Sequence, residues 1–293
     1  MGSRNKIIKD KGKSIRVRLL NISKETPYDY NVMLARYVQE RVLYRLSQSQ
    51  YNDRLFLKGG ALLYVYSQMK SRPTLDIDFL IKDMSNDKEI IKKVFQEILS
   101  VECTEDALSF DVDNIMVEDI METNTYHGVR INITALIDGM RQPLSVDIGF
   151  GDVIVPAPHS LEYPLIFDEM PTFSVNAYSL ETVVAEKFQT MIALSIYNSR
   201  MKDFYDLYTI LSAQELNKDD LKEAIVATFT NRNTGYTENH LLFKDDFFQD
   251  AVKNKQWNDF MKKVKSNNQL SFADVGKYIQ QEMKPYWDAL NKK

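Results

Sequence analysis

Asp76 and Asp78 stand two residues apart in "TLDIDFLI", among the apolar Leu75, Ile77 and Phe79. At strand spacing alternate side chains share a face, so the two carboxylates can reach a common point. Like charges held side by side among bulky apolar groups are unfavourable unless something neutralises them. Hard divalent cations do so, and Mg²⁺ usually binds through one or two carboxylates plus substrate phosphates. Asp147 in "PLSVDIGFGD" is a third such acid, opposite in facing to Leu144, Val146, Ile148 and Phe150. Three acids from two strands around Mg²⁺ suit phosphoryl transfer, where the metal neutralises developing charge and aligns the reacting oxygens. Asp152, just past Gly151, is expected to be a solvated turn acid beyond the strand.

Gly59 and Gly60 in "LKGGALL" lie between a predicted strand and a predicted helix. Backbone N–H groups there can approach a phosphate, and a helix N-terminus favours negative charge. Two glycines in a turn are weak evidence alone, and no GxxxxGK[ST] pattern is present. Arg72 and Thr74, which precede the acid pair, give them weight. In "SLETVVAEKFQTMIALSIYNS", Lys187 interrupts a helical stripe of Leu180, Val183, Val184, Met191 and Leu194. A core-facing ammonium needs an anion, either a triphosphate or an internal carboxylate. In "SRMKDFYDLYTIL", Asp203 and Asp206 share a helix face near Arg200 and Lys202, and first-turn acids are also ordinary complements of the helix dipole. His127, His159 and His240 show no metal-ligand spacing.

The elements that would position these residues follow from periodicity. Helices are predicted over "SIRVRLLNISKE" and "DYNVMLARYVQERVLYRLSQS", the latter presenting Met33, Leu34, Tyr37, Val38, Arg41, Tyr44 and Arg45 on one face. A strand "RLFLKGG", a helix "ALLYVYSQM", the strand "TLDIDFLI" and a helix "DKEIIKKVFQEILS" capped by Asp87 come next. Three strand-like runs follow, "ALSFDVDNIMVEDI", "GVRINITALI" and "PLSVDIGFGD", the antiparallel part of a mixed sheet. From Leu180 onward the chain reads as helix. The expected organisation is an α/β core over residues 1–175 and a helical C-terminal region over 176–293 that contributes Lys187, Asp203 and Asp206 to the active site.

Composition sets the broad class. With 44% hydrophobic and 27% charged residues among 293, the chain can build a substantial core. No apolar run approaches the roughly 20 residues of a membrane span, and the basic N-terminus lacks the apolar stretch of a secretory signal. The single Cys103 excludes an intramolecular disulfide and a cysteine-based zinc site. A cytoplasmic protein is expected. The net charge of −4 does not advertise nucleic-acid binding, yet Arg4, Lys6, Lys9, Lys11, Lys13, Arg16 and Arg18 crowd the N-terminus, and Lys253, Lys255, Lys262, Lys263 and Lys265 gather near the other end. Such clusters can track phosphates, although solvated helix faces look alike.

Taken together, "ARYVQERVLYRLSQS", "LKGGALL", "RPTLDIDF", "SVDIGFGD", "YSLETVVAEKF" and "RMKDFYDLY" resemble the AbiEii-type abortive-infection nucleotidyltransferase toxins, within the polymerase-beta-like nucleotidyltransferase superfamily. The resemblance covers roughly residues 14 to 212. It implies a nucleotide and metal site at Gly59, Gly60, Asp76 and Asp78, with Asp147 completing metal binding. It implies phosphate contact by Lys187 and active-site roles for Asp203 and Asp206. Ala61 stands where many of the wider superfamily carry a serine, which removes hydroxyl assistance to the phosphates unless Thr74 supplies it. The resemblance further implies a nucleoside triphosphate substrate with Mg²⁺ or Mn²⁺, and a phage-defence toxin with an antitoxin encoded beside it. An RNA acceptor such as tRNA is expected, a protein or small-molecule acceptor and a non-catalytic nucleotide-binding module being the alternatives.

Overall fold

The computed structural model describes residues 2–67, 71–123, 126–264 and 270–291, and side chains outside 2–10 and 121–127. The end of the predicted helix "ALLYVYSQM", the His127 side chain and Lys265 lie outside the described residues. The chain divides into two compact units, residues 1–151 with 159–177, and residues 152–158 with 178–293.

The first unit is built on a mixed sheet. In chain order it holds α1 (Gly2–Glu25), α2 (Tyr30–Ser47), β1 (Leu55–Lys58), α3 (Gly59–Tyr66), β2 (Asp76–Ile81), α4 (Lys88–Leu99), β3 (Ser109–Phe110), β4 (Met116–Thr123), β5 (Tyr126–Ile137), β6 (Met140–Phe150), β7 (His159–Glu162) and β8 (Ser174–Ala177). The strands run β3-β5-β6-β2-β1-β8-β7, with β4 also paired to β5. β2 runs parallel to β6 and β1 parallel to β8, while the other pairs are antiparallel. Ile77, Phe79, Ile131, Val146 and Ile148 are buried, as are Leu34, Tyr37 and Val38 of α2, which packs on β6 and β8. Asp29 and Asp87 cap α2 and α4 by accepting backbone N–H groups of the first turn.

Several expectations change. Leu75 does not join the buried strand; it precedes β2 and is 62% exposed. "ALSFDVDNIMVEDI" is two strands, because Asn114 folds back on Asp111 and forms a 3₁₀ turn over Val112–Asn114. β7 and β8 were hidden by shortness and by a β7 exposed along most of its length, without alternation. Arg41 and Arg45 on the α2 stripe are truly buried: Arg45 pairs with Asp106 at 2.6 Å, and Arg41 sits 3.5 Å from Glu40.

The second unit is helical apart from connecting turns: α5 (Leu180–Leu194), α6 (Met201–Ala213), α7 (Lys218–Asn231), α8 (Asp245–Gln249), α9 (Ala251–Val264) and α10 (Phe272–Leu290). Ser179, Asn217 and Ser271 cap α5, α7 and α10. Aromatic rings fill its core, with Phe188 and Phe229 against Trp287, and Phe204 against Phe248 and Phe272. Lys253 departs from the expected basic surface cluster. It is buried and donates to the Ile196 and Asn198 carbonyls, so it closes a turn in place of tracking phosphates. No described helix is long and apolar enough to cross a membrane.

Candidate active site

The site in the first unit is a row across four adjacent strands. Lys58 of β1 faces Asp78 of β2, Asp78 faces Asp147 of β6, and Asp147 faces Arg130 of β5. Directly opposed residues on neighbouring strands point to the same face, so the register alone brings two cations and two acids into line. Asp76 joins them from two residues away on the same face. Carboxylate oxygens of Asp76, Asp78 and Asp147 all lie within 4.8 Å of one another, and all three residues are half-buried. Lys58, Asp78, Gly128, Asp147 and Gly149 line a cleft open to solvent.

Local structure explains the glycines. Gly59 has φ +67°, and a Cβ there would lie 1.9 Å from Asp78 Oδ2. Only glycine accepts both the backbone conformation and the carboxylate. A Cβ on Gly60 would come within 2.8 Å of the Thr74 side chain. The glycine pair at the start of α3 thus makes room for the acids and for the segment leading to them. Thr74 Oγ1 donates to Asp76 Oδ1 at 2.5 Å, which directs that carboxylate. Gln39 of α2 donates to the Thr74 and Asp76 carbonyls and pins the entry to β2. Arg72 is half-buried, with Nη1 3.4 Å from the Pro73 carbonyl.

Arg130 was not singled out by the sequence. Its Nε and Nη2 donate to the two Asp147 oxygens at 2.8 and 2.7 Å. The hydrogen bonds to Asp147 raise its pKa further, and the charges of Asp76 and Asp78 add to that. The available signal was its place in "GVRINI", where it falls on the polar face opposite Val129 and Ile131. Lys58, directly before the glycines, was missed as well.

In the second unit, the structure brings Lys187, Asp203, Asp206 and Arg200 together. Lys187 Nζ donates to Asp203 Oδ1 at 2.8 Å and Asp206 Oδ2 at 2.9 Å, and Arg200 Nε donates to Asp203 Oδ2 at 2.7 Å. Of the two anions open to Lys187, the internal carboxylates are thus present. The carboxylates are almost fully buried, at 4% and 2% side-chain exposure. Burial would raise the Asp203 pKa, but the charges and hydrogen bonds of Lys187 and Arg200 outweigh it and hold the carboxyl well below its ordinary range. Asp152 corrects another expectation. It is buried, and Arg232 grips both its oxygens at 3.0 and 2.9 Å while also bonding Gln189.

Three converging carboxylates with no nitrogen or sulfur donor among them form the oxygen-rich set that hard divalent cations take. A family model described as nucleotidyl transferase AbiEii toxin, type IV toxin–antitoxin system, matches residues 41–290. The chain belongs to the AbiEii nucleotidyltransferase toxin family. It is a nucleotidyltransferase, and membership of a type IV toxin family implies an antitoxin partner. The crystal structure of JHP933 from Helicobacter pylori shares the fold, with a TM-score of 0.50 and 14% identity over 89% of this chain and 94% of that one. A second H. pylori chain aligns with a TM-score of 0.46 and 13% identity, over 90% of this chain and 98% of that one. No curated protein matches the sequence.

Proposed function

We propose that this AbiEii toxin moves a nucleoside monophosphate from a nucleoside triphosphate onto RNA, tRNA being the favoured class, with release of pyrophosphate. The observation that carries the reading is the convergence of Asp76, Asp78 and Asp147 beside a cleft, with Gly59 leaving room for the Asp78 carboxylate. These three acids would hold Mg²⁺ or Mn²⁺, which when bound supplies charge neutralisation at the transferred phosphate and lowers the pKa of an attacking hydroxyl. Thr74 fixes the direction of Asp76 through its hydroxyl, and that commits the hydroxyl to the acid. The Gly59–Gly60 backbone and Arg72 lie in the segments that precede the acids and would contact the phosphates. Lys187, Asp203 and Asp206 are assigned to transfer on the family resemblance. In that assignment the two acids hold the lysine in one orientation through the bonds described above.

RNA as acceptor is supported by the basic α1, on which Lys11 and Lys13 are exposed. Arg16 and Arg18 are less available, because they pair with Asp138 and Glu169. Action in the cytoplasm, where tRNA and the antitoxin would both be met, is part of the proposal, as is a role in phage defence. Incubation with each labelled triphosphate, Mg²⁺ and total RNA tests it. Label in RNA is expected. Label in protein instead would move the acceptor to a polypeptide, and no label in any fraction with any triphosphate would overturn the transfer reading.

A further inference from the structure

The second cation of the strand row has a feature that metal binding leaves unused. A guanidinium has five N–H donors in one plane. Two of those of Arg130 go to Asp147, and the other three have no partner among the described residues. The side chain is 42% exposed, while Asp147 is 19% exposed, so the guanidinium lies on the solvent side of the acid it grips. Bidentate pairing fixes its plane, as an orienting partner does for a ligand-binding group. The three acids also carry more negative charge than one divalent cation cancels. A polyanion entering there needs further positive charge close by.

We propose that Arg130 is a substrate-binding residue that receives the triphosphate, with Asp147 holding its guanidinium in place. This rests on the proposed function and adds to it the group that recognises the substrate's phosphate chain. Arg130 reaches the site from β5, the strand next to Asp147, and needs no movement of the sheet to present its open edge. A fork with free N–H groups on two nitrogens suits the oxygens of adjacent phosphates better than an ammonium would. Lys58 stands at the opposite end of the row, so an anion over the acids would be flanked by a cation on either side.

The test is direct binding to the full-length protein, wild type against Arg130→Gln and Arg130→Lys, by calorimetry. The probes are Mn²⁺ alone, and inorganic tripolyphosphate or a non-hydrolysable nucleoside triphosphate in saturating Mg²⁺. Arg130→Gln is expected to weaken both polyphosphate probes roughly 10–100-fold, the scale of losing charge-assisted hydrogen bonds. Mn²⁺ alone should bind as in the wild type or more tightly, because a cation that competes for Asp147 is gone. Arg130→Lys should fall between, and it decides the matter if the glutamine variant does not fold. Unchanged polyphosphate binding in folded Arg130→Gln overturns the inference and leaves the proposed function standing. Equal loss of Mn²⁺ and polyphosphate overturns it too, since Arg130 would then only orient Asp147. A wild-type protein that binds no triphosphate overturns the proposed function, and the inference with it.

Discussion

The two acid clusters of this protein use the same residue types to opposite ends. On the sheet, Asp76, Asp78 and Asp147 are half-buried beside an open cleft. In the helical unit, Asp203 and Asp206 are sealed at 4% and 2% exposure, with Lys187 bonded to both and Arg200 bonded to Asp203. The first arrangement can exchange partners with solvent species. The second is matched internally, and removing one member unbalances charges that are buried. The same acid spacing can thus present carboxylates to a ligand or hold a neighbouring cation in place. What distinguishes the two is whether the charge is already satisfied where water cannot reach.

The largest effect that would sharpen the contrast is on the sheet. Asp78→Asn should cut nucleotide transfer by at least roughly 10²-fold, the scale of losing one charge-stabilising group at a transition state. Thermal stability should hold or rise, because one of several like charges is gone. A variant that keeps near-wild-type transfer would remove the acids from the mechanism.

Lys187→Met probes the other side. It keeps the length of the side chain but strips two buried carboxylates of a shared cation, so a loss of about 3–5 kcal/mol in denaturant unfolding is expected. Transfer should fall as well; if the variant instead unfolds like the wild type, the pairing does not stabilise the helical unit and the contrast fails.

Asp152→Asn is a milder case. It breaks a buried bidentate pair with Arg232 and should cost roughly 1–3 kcal/mol in the same unfolding assay. Transfer per folded molecule should stay at the wild-type level. A dead but fully stable Asp152→Asn would place a functional acid outside the strand row.

The smallest effect is in pH dependence. The folded-state pKa of Asp203 is depressed, so the unfolded chain takes up its proton first as pH falls. The stabilisation is fully present above the unfolded value of about 3.9 and is lost as pH falls through the folded one. Between pH 6 and pH 3 the wild type should therefore lose about 1 kcal/mol more than Asp203→Asn does. Equal losses would mean that Lys187 and Arg200 do not hold this carboxyl.

Much of the sheet site was legible because strand periodicity is local. Alternation in "TLDIDFLI" and "PLSVDIGF" put Asp76 and Asp78 on one face and Asp147 opposite its apolar neighbours, and the structure has them so. The capping role of Asp87 was legible for the same reason, since a cap bonds within its own first turn. Lys187 was legible as an anomaly, a cation on an apolar stripe, but its partners lie 16 and 19 residues away on another helix. The β7 and β8 strands were too short to be seen, and β7 is exposed along most of its length as well.

The sequence by itself determined which side chains share a face within each element, because that depends only on backbone periodicity. It determined the acids, the glycines and their order along the chain. Tertiary structure alone decided the row Lys58, Asp78, Asp147, Arg130, since each step of it is a choice of strand neighbour and register. It decided as well that Asp152 is buried against an arginine 80 residues away and that Lys253 closes a turn. Charge pairing over such distances leaves no periodic trace in a sequence. It is fixed only when the core has chosen which faces meet.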